Sequence, residues 1–325
     1  MKHKKITAFI VLVLVVILWG ITPVITKAIF NAENPSFSPV ALIALRGLFA
    51  IAAMAIFINK GFKKINKSYW VALPAGVVLS AAYIFQFVGL KYTVPSKNTF
   101  LENISCLTIP IFMYLLVKEK PTRASIIAAI ICVFGSIILV GKGFDLLHFF
   151  EDGTLLGDGL SAMGGLFFGL DVVITKVFSK DKDPLIYVFL QLCVLTVISF
   201  AYAFIFEDLV FNEFRLSFYW VDLLLAMFLG IVCTAVAWTA RAWAIRYTSA
   251  VTVSVLVPLT AVVATIFSIA LGMEKFNYNL LIGGLVVLIS IVVSTVFDYY
   301  KDRHKKIVDS KDQLTEVQAN ERNPS

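Results

Sequence analysis

The chain has 325 residues, of which 59% are hydrophobic and only 15% charged, with 28 Phe and 5 Trp. Soluble domains run nearer roughly 45–50% apolar and about 25% charged, so the composition excludes a disordered chain, a secreted disulfide scaffold and a cytosolic enzyme. A mean hydropathy of +0.88 points instead to an integral membrane protein, and the formal charge of +7 does not argue for nucleic acid, because the basic residues sit in short stretches between apolar segments, where membrane topology puts them.

In chain order, apolar segments of spanning length fall at 6–29, 38–58, 70–90, 94–116, 124–141, 155–178, 184–206, 218–245, 248–271 and 278–298. Spanning a bilayer takes ~20 residues of helix, whereas barrel strands are about ten residues long. The expected fold is therefore an all-α integral membrane protein with ten transmembrane helices. The first segment has a basic start but no small-residue cleavage site behind it; it carries Trp19, Pro23 and Lys27 and precedes further spans, which reads as a retained helix. Lys91-Tyr92-Thr93 and Arg246-Tyr247 are such short gaps that their flanking helices must form tight hairpins.

Charge sets the orientation. Lys2, Lys4 and Lys5, the lysines of 59–69, Lys118, Lys120 and Arg123, Lys176, Lys180 and Lys182, Arg246, and the basic residues of 301–306 all fall on one side. The other side has Lys91, Lys142, Arg215 and Lys275 among acids such as Glu151, Asp152, Glu207 and Glu213. By the positive-inside rule both termini are expected in the cytoplasm of a multi-pass cytoplasmic-membrane protein. Cys106, Cys132, Cys193 and Cys233 stand isolated, and His3, His148 and His304 lie outside the apolar runs, so neither a metal site nor a cofactor is expected. The polar tail 299–325 needs no fold.

An internal repeat divides the chain. Val24-Ile25-Thr26-Lys27 recurs as Val173-Ile174-Thr175-Lys176 at an offset of 149, which also places Gly20 on Gly169. An offset of 145 carries Pro39 to Pro184, and one of 155 carries Tyr92-Thr93 to Tyr247-Thr248 and Glu119-Lys120 to Glu274-Lys275. Each half holds five spans, so the second enters the membrane from the opposite side. Two inverted five-helix repeats are expected, 6–141 and 155–298, joined by an external linker at 142–154. Inverted repeats are a recurring plan for secondary transporters, because two similar halves packed in opposite senses can exchange inward-open and outward-open shapes.

The same residues carry a family resemblance. Trp19-Gly20, the run Tyr92-Thr93-Val94-Pro95-Ser96-Lys97, Tyr247-Thr248-Ser249-Ala250, Pro258 and Leu271-Gly272-Met273-Glu274 resemble the drug/metabolite transporter superfamily, and within it the EamA-domain group, over residues 6–298. The resemblance implies a central cavity enclosed by spans 1, 3, 4, 6, 8 and 9, with spans 5 and 10 peripheral. It also implies movement of small metabolites, often amino acids and often as export. Asn98, Glu102 and Asn103 depart from the small and apolar residues common in that stretch of the family, so the cargo is not copied from a relative.

Polar groups at membrane depth are costly and usually face a cavity or a partner. Lys97, Asn98, Glu102 and Asn103 lie close together in span 4, with Asn98 and Glu102 four apart on one helical face and Pro95 at the helix start. Glu102 is the first candidate, either to bind an ammonium group or to exchange a proton; a buried contact with Lys97 is the structural alternative. Asp171 and Arg241 need partners too: Asp171 with Lys97, or Arg241 with Glu102, are both open pairings. Gln86 matches Arg241 at offset 155 and joins the binding candidates. Arg46, matched by Gln191 at offset 145, reads as a gating or helix-contact residue, as does Pro95. Trp19, Tyr83 and Trp238 are candidate cavity aromatics, though packing is the default for aromatics here. Lys27 and Lys176 read as interfacial anchors, and Asp158 as a boundary charge that costs little.

Together these readings favour a transporter of a small organic solute, surrounded by lipid and driven by protons, another ion or the solute's own gradient. The alternatives are a membrane-embedded enzyme, for which no His-Asp pairing or metal-ligand set is evident, and a channel or structural membrane protein, which needs no inverted halves; oligomeric state is not legible. The orientation is directly testable. In a Cys-less background, a cysteine at His148 should react with an impermeant maleimide on intact cells, and labelling only after permeabilisation would reverse the assignment.

Overall fold

The computed structural model describes residues 2–58, 65–118, 123–140, 155–248, 252–253, 256–276, 278–279, 282–290 and 293. The expected linker 142–154 and tail 299–325 lie outside them. The regular secondary structure of the described residues is helical, apart from one isolated antiparallel bridge between Phe37 and Leu216. Chain order runs α1 (Lys2–Phe30), α2 (Pro39–Ile58), α3 (Ala72–Tyr92, entered through a 3-10 turn at Lys67–Val71), α4 (Pro95–Glu102), α5 (Ser105–Val117), α6 (Arg123–Val140), α7 (Leu155–Phe178), α8 (Pro184–Tyr202, continued by a π turn at Ala203–Val210), α9 (Trp220–Gly230), a π turn at Ile231–Val236, α10 (Ala237–Ala244) and α11 (Leu259–Ala270).

Among the described residues, seven stretches are long and apolar enough to cross a membrane: Lys4–Phe30, Pro39–Ile58, Lys67–Tyr92, Pro95–Val117, Leu155–Phe178, Pro184–Val210 and Trp220–Ala244. Within the other three expected spans the described residues form only shorter apolar helices, Ile126–Gly135 and Leu259–Ala270, and the helical residues of 282–290. The burial pattern is that of a protein in hydrocarbon. Ile56, Phe57, Leu155 and Leu209 point outward, while Arg46, Lys97, Asn98, Asp171 and Arg241 are buried. In water that arrangement would be inverted; in lipid an apolar exterior is the low-energy one.

Helix starts follow from local chemistry. Pro184 occupies the first turn of α8, where a missing N–H costs nothing, and Asp183 caps that turn by accepting from the backbone N–H groups of Leu185 (2.9 Å) and Ile186 (3.4 Å). Pro39 opens α2 in the same way, but its cap comes from far along the chain. The Glu207 carboxylate accepts from the N–H groups of Val40 (2.8 Å) and Ala41 (3.1 Å) and from the Ser38 hydroxyl (2.6 Å). An acid at a helix N-terminus is favoured by the unpaired N–H groups and the helix dipole, and this one ties the loop before α2 to the end of α8.

Expected span 4 is broken. Asn103 and Ile104 form a turn between α4 and α5, which an unbroken polar stripe on one face did not anticipate. The break is packed directly against α7: a Cβ on Gly165 would stand 2.5 Å from the Glu102 carbonyl oxygen and 2.7 Å from its Cα. Beside it, a Cβ on Gly164 would come within 3.1 Å of the Gln86 nitrogen. The Gly164-Gly165 pair thus lets α7 lie against α3 and α4 at the two positions that carry Gln86 and Glu102, as small residues do at membrane helix contacts. Gly165→Ala should destabilise the purified protein by about 1–3 kcal/mol through overpacking against backbone. Gly159→Ala, where nothing lies within 4 Å, should leave the melting temperature within error of wild type.

Candidate functional site

A cavity of about 60 Å³ lies inside the bundle, walled by Trp19 and Thr22 of α1, Tyr83 and Gln86 of α3, Thr99, Glu102 and Ser105 at the α4–α5 break, Phe168 and Val172 of α7, Trp238 and Arg241 of α10, and Val257 and Thr260. Ten of these thirteen residues fall into pairs at the sequence offsets found above. Trp19 answers Phe168 at 149; Tyr83 answers Trp238, Gln86 answers Arg241, Glu102 answers Val257 and Ser105 answers Thr260 at 155. Phe168 could have been found from the sequence by carrying Trp19 forward through the offset that relates Gly20 to Gly169.

Six of the expected site residues therefore line one cavity: Trp19, Tyr83, Gln86, Glu102, Trp238 and Arg241. Their arrangement is fixed by specific contacts. Gln86 Nε2 donates to Glu102 Oε1 at 2.6 Å, and Trp238 Nε1 donates to the Tyr83 hydroxyl at 2.7 Å. The rings of Trp19, Tyr83 and Phe168 each lie within about 6.3 Å of Trp238, centroid to centroid, so the apolar wall is one aromatic cluster. Among the described residues, no lysine or arginine stands within ion-pair distance of Glu102. A carboxylate in a cavity wall, held by one amide and not neutralised by a base, can receive a cationic group or a proton.

The intramembrane charges pair in a way that sequence left open. Arg241 Nη1 meets Asp171 Oδ2 at 2.8 Å, and Gln191 Nε2 donates to Asp171 Oδ1 at 2.5 Å. Lys97 meets Asp158 at 2.7 Å, so neither a Lys97–Asp171 nor an Arg241–Glu102 pairing is seen, and Lys97 is not the partner of Glu102. Asp158, expected as an inexpensive boundary charge, is 3% exposed and accepts from Thr93 as well. Asn98 is likewise fully buried, donating to the Gln86 carbonyl (3.1 Å) and to Ser161 (2.7 Å). Lys97 and Asn98 thus brace α4 against α3 and α7 rather than line the cavity. Asn103 is buried in the turn with neither side-chain atom hydrogen-bonded. Pro95 starts α4. Arg46 and Gln191 stand behind the wall.

Lys27 and Lys176, expected as interfacial anchors, do something more specific. Lys27 Nζ donates to the carbonyls of Leu90 (2.9 Å) and Lys91 (3.1 Å), closing the end of α3. Lys176 Nζ donates to the carbonyls of Ile245 (2.5 Å) and Thr248, just past α10. A lysine satisfying orphan carbonyls at a helix C-terminus is well placed for both hydrogen bonding and the dipole.

Against known proteins, the EamA-like transporter family matches the chain twice, over residues 6–141 and 155–296. An uncharacterized transporter of Archaeoglobus fulgidus is 24% identical over 291 residues, covering 89% of this chain and 86% of its own. A WAT1-related protein of Arabidopsis thaliana is 23% identical over 292 residues, covering 82% and 80% respectively. A protein of known crystal structure, 18% identical, superposes with a TM-score of 0.68 over 90% of this chain and 99% of its own, which is a likeness of fold.

The buried pairing makes an asymmetric prediction. Removing one partner of a buried ion pair typically costs about 3–5 kcal/mol, whereas replacing both by apolar residues of similar volume is often neutral. Asp171→Leu alone should sharply lower the melting temperature of the purified protein, and adding Arg241→Met should recover most of the loss. A loss in the double variant equal to the sum of the two single losses would mean that the two side chains act independently.

Proposed function

The chain belongs to the EamA-like transporter family, and on that premise we propose that it is a secondary transporter moving a small organic metabolite across the cytoplasmic membrane by alternating access. The reading takes the chain as ten spans in two inverted five-helix repeats, 6–141 and 155–298, with 142–154 outside and both termini in the cytoplasm. The double family match supports that division. So does the reciprocity of contacts: Gly20 packs on Thr260 and Val263, while Gly169 packs on Ser105 and Thr108. Offsets of 149 and 155 convert the first set of residues into the second. Lys27 on Leu90 and Lys176 on Ile245 are related in the same way.

The observation that carries the function is the cavity itself. Its wall is built from residues at matching positions of the two halves, so rocking one half against the other would open it to each face in turn. Within that wall Glu102 is the working group, binding an amine of the solute or carrying the coupling proton. Gln86 orients its carboxylate, and the Trp19, Tyr83 and Trp238 rings hold the apolar part of the solute. Export as the physiological direction, and an amino acid or other amine-bearing solute as cargo, follow the family resemblance.

Glu102→Gln keeps shape and hydrogen-bonding capacity but removes the charge and the titration. In proteoliposomes at matched protein density, a wild-type solute flux that varies with pH should be abolished or become independent of pH in this variant. Wild-type rates with an unchanged pH profile would leave Glu102 a structural residue.

A further inference from the structure

Resting on that transporter reading, we infer that Arg46 is a second solute-binding residue and that the group it takes is a carboxylate. Three basic side chains lie deep in the described bundle: Lys97, Arg241 and Arg46 are each no more than 2% exposed. Lys97 and Arg241 each meet an acid. No carboxylate lies within ion-pair distance of Arg46 among the described residues, and its Nη1 has no hydrogen-bond partner. A buried cation with no counter-charge is costly in hydrocarbon, and a solute that supplies the counter-charge on binding relieves that cost.

The guanidinium is hydrogen-bonded along one edge only. Its Nε and Nη2 donate to the Thr234 hydroxyl at 3.0 and 2.7 Å, and that hydroxyl donates onward to the Leu229 carbonyl at 2.7 Å. Thr234 sits in the π turn Ile231–Val236, and the repeat offsets suggest why the turn is there. Gly76 packs on the Gln191 carbonyl and Val194, while Gly230 packs on the Arg46 carbonyl and Phe49, the residues related to those two by 145. The two glycines are 154 apart, yet Tyr83 and Trp238, further along the same helices, are 155 apart. The second half therefore carries one extra residue at this point, and a π turn is how a helix absorbs one. Such insertions occur often at functional sites. Here it brings Thr234 to Arg46, fixing one edge of the fork and leaving Nη1 uncommitted.

Two rings flank it, Tyr83 and Phe87, at 5.0 and 5.4 Å from ring centroid to Cζ, and Tyr83 also lines the cavity wall. A swing of the Tyr83 ring, the one of the two that lines the cavity, would join Nη1 to the space that Glu102 faces. The free edge of the fork suits a planar carboxylate. A phosphate dianion fits less well, because the two other deep bases are already paired and only one positive charge is left to meet it.

The test uses full-length protein in lipid nanodiscs, reading tryptophan emission, since Trp238 is hydrogen-bonded to Tyr83. The probes are propionate, propionamide and propylammonium, which share size and differ in charge. Propionate should give a saturable change in wild type and in Glu102→Gln, and propionamide should give none. Binding of propionate should weaken about tenfold or more in Arg46→Gln, while propylammonium still binds that variant. Arg46→Lys, which retains the charge without the fork, should bind propionate with intermediate affinity, and it carries the comparison if Arg46→Gln does not fold. The inference is overturned if propionate does not saturate wild type, if propionamide matches it, or if the Arg46 variants bind it as wild type does. Any of these alongside propylammonium binding that depends on Glu102 leaves the transporter reading standing and removes only the role of Arg46. Failure of both charged probes removes both.

Discussion

Inside a bilayer a polar side chain has no water to turn to, and that constraint organises this molecule from the loops to the cavity. Each deep charge must be matched by an opposite charge, a carbonyl, an aromatic face or an aqueous cavity. Arg241 and Lys97 take carboxylates, Lys27 and Lys176 take helix-end carbonyls, and Arg46 takes a hydroxyl and two ring faces. Glu102 takes one amide and the cavity. The charged side chains buried inside the bundle are ones a soluble protein would place on its surface.

These matches also lock the helices to one another. Lys97–Asp158 and Asn98–Ser161 fix α4 on α7; Gly164 and Gly165 allow the approach that those contacts need. Because α4 ends at Glu102 against this brace, the carboxylate is positioned by backbone packing and not by its own flexible stem. Contacts between the two halves occur at both ends of the bundle. At one end the backbone of Ser38 donates to the Arg215 carbonyl (3.0 Å) and Ser36 Oγ donates to Asp222 (2.5 Å). At the other the Asp183 N–H donates to the Tyr69 hydroxyl (3.0 Å). On the transporter proposal, these contacts at the two ends of the bundle would have to open in turn.

The membrane class and most helix boundaries were legible in the sequence because hydropathy alone decides them; the segment 155–178 matches α7 residue for residue. The cavity residues were partly legible, since an ionisable side chain deep in an apolar run has few reasons to be there. What the sequence withheld was pairing. Asp171 chose Arg241 and Lys97 chose Asp158 through contacts between helices far apart in the chain, which no local pattern encodes. The break after Glu102 was hidden as well, because Asn103-Ile104 carries no glycine or proline to announce it. The π turn at Ile231–Val236 was detectable only as a one-residue slip between offsets, and only after the glycine contacts showed which positions to compare.

The central claim is that two related halves move against each other about a fixed cavity. Double electron–electron resonance can follow both ends of the bundle in the same protein, with spin labels at the exposed positions Asn34 and Trp220 near one latch and at Ser68 and Asp181 near the other. The account predicts two distance populations at each pair, and a change of pH that lengthens one pair should shorten the other. A single unchanging distance at both ends, or two ends that open and close together, would contradict it.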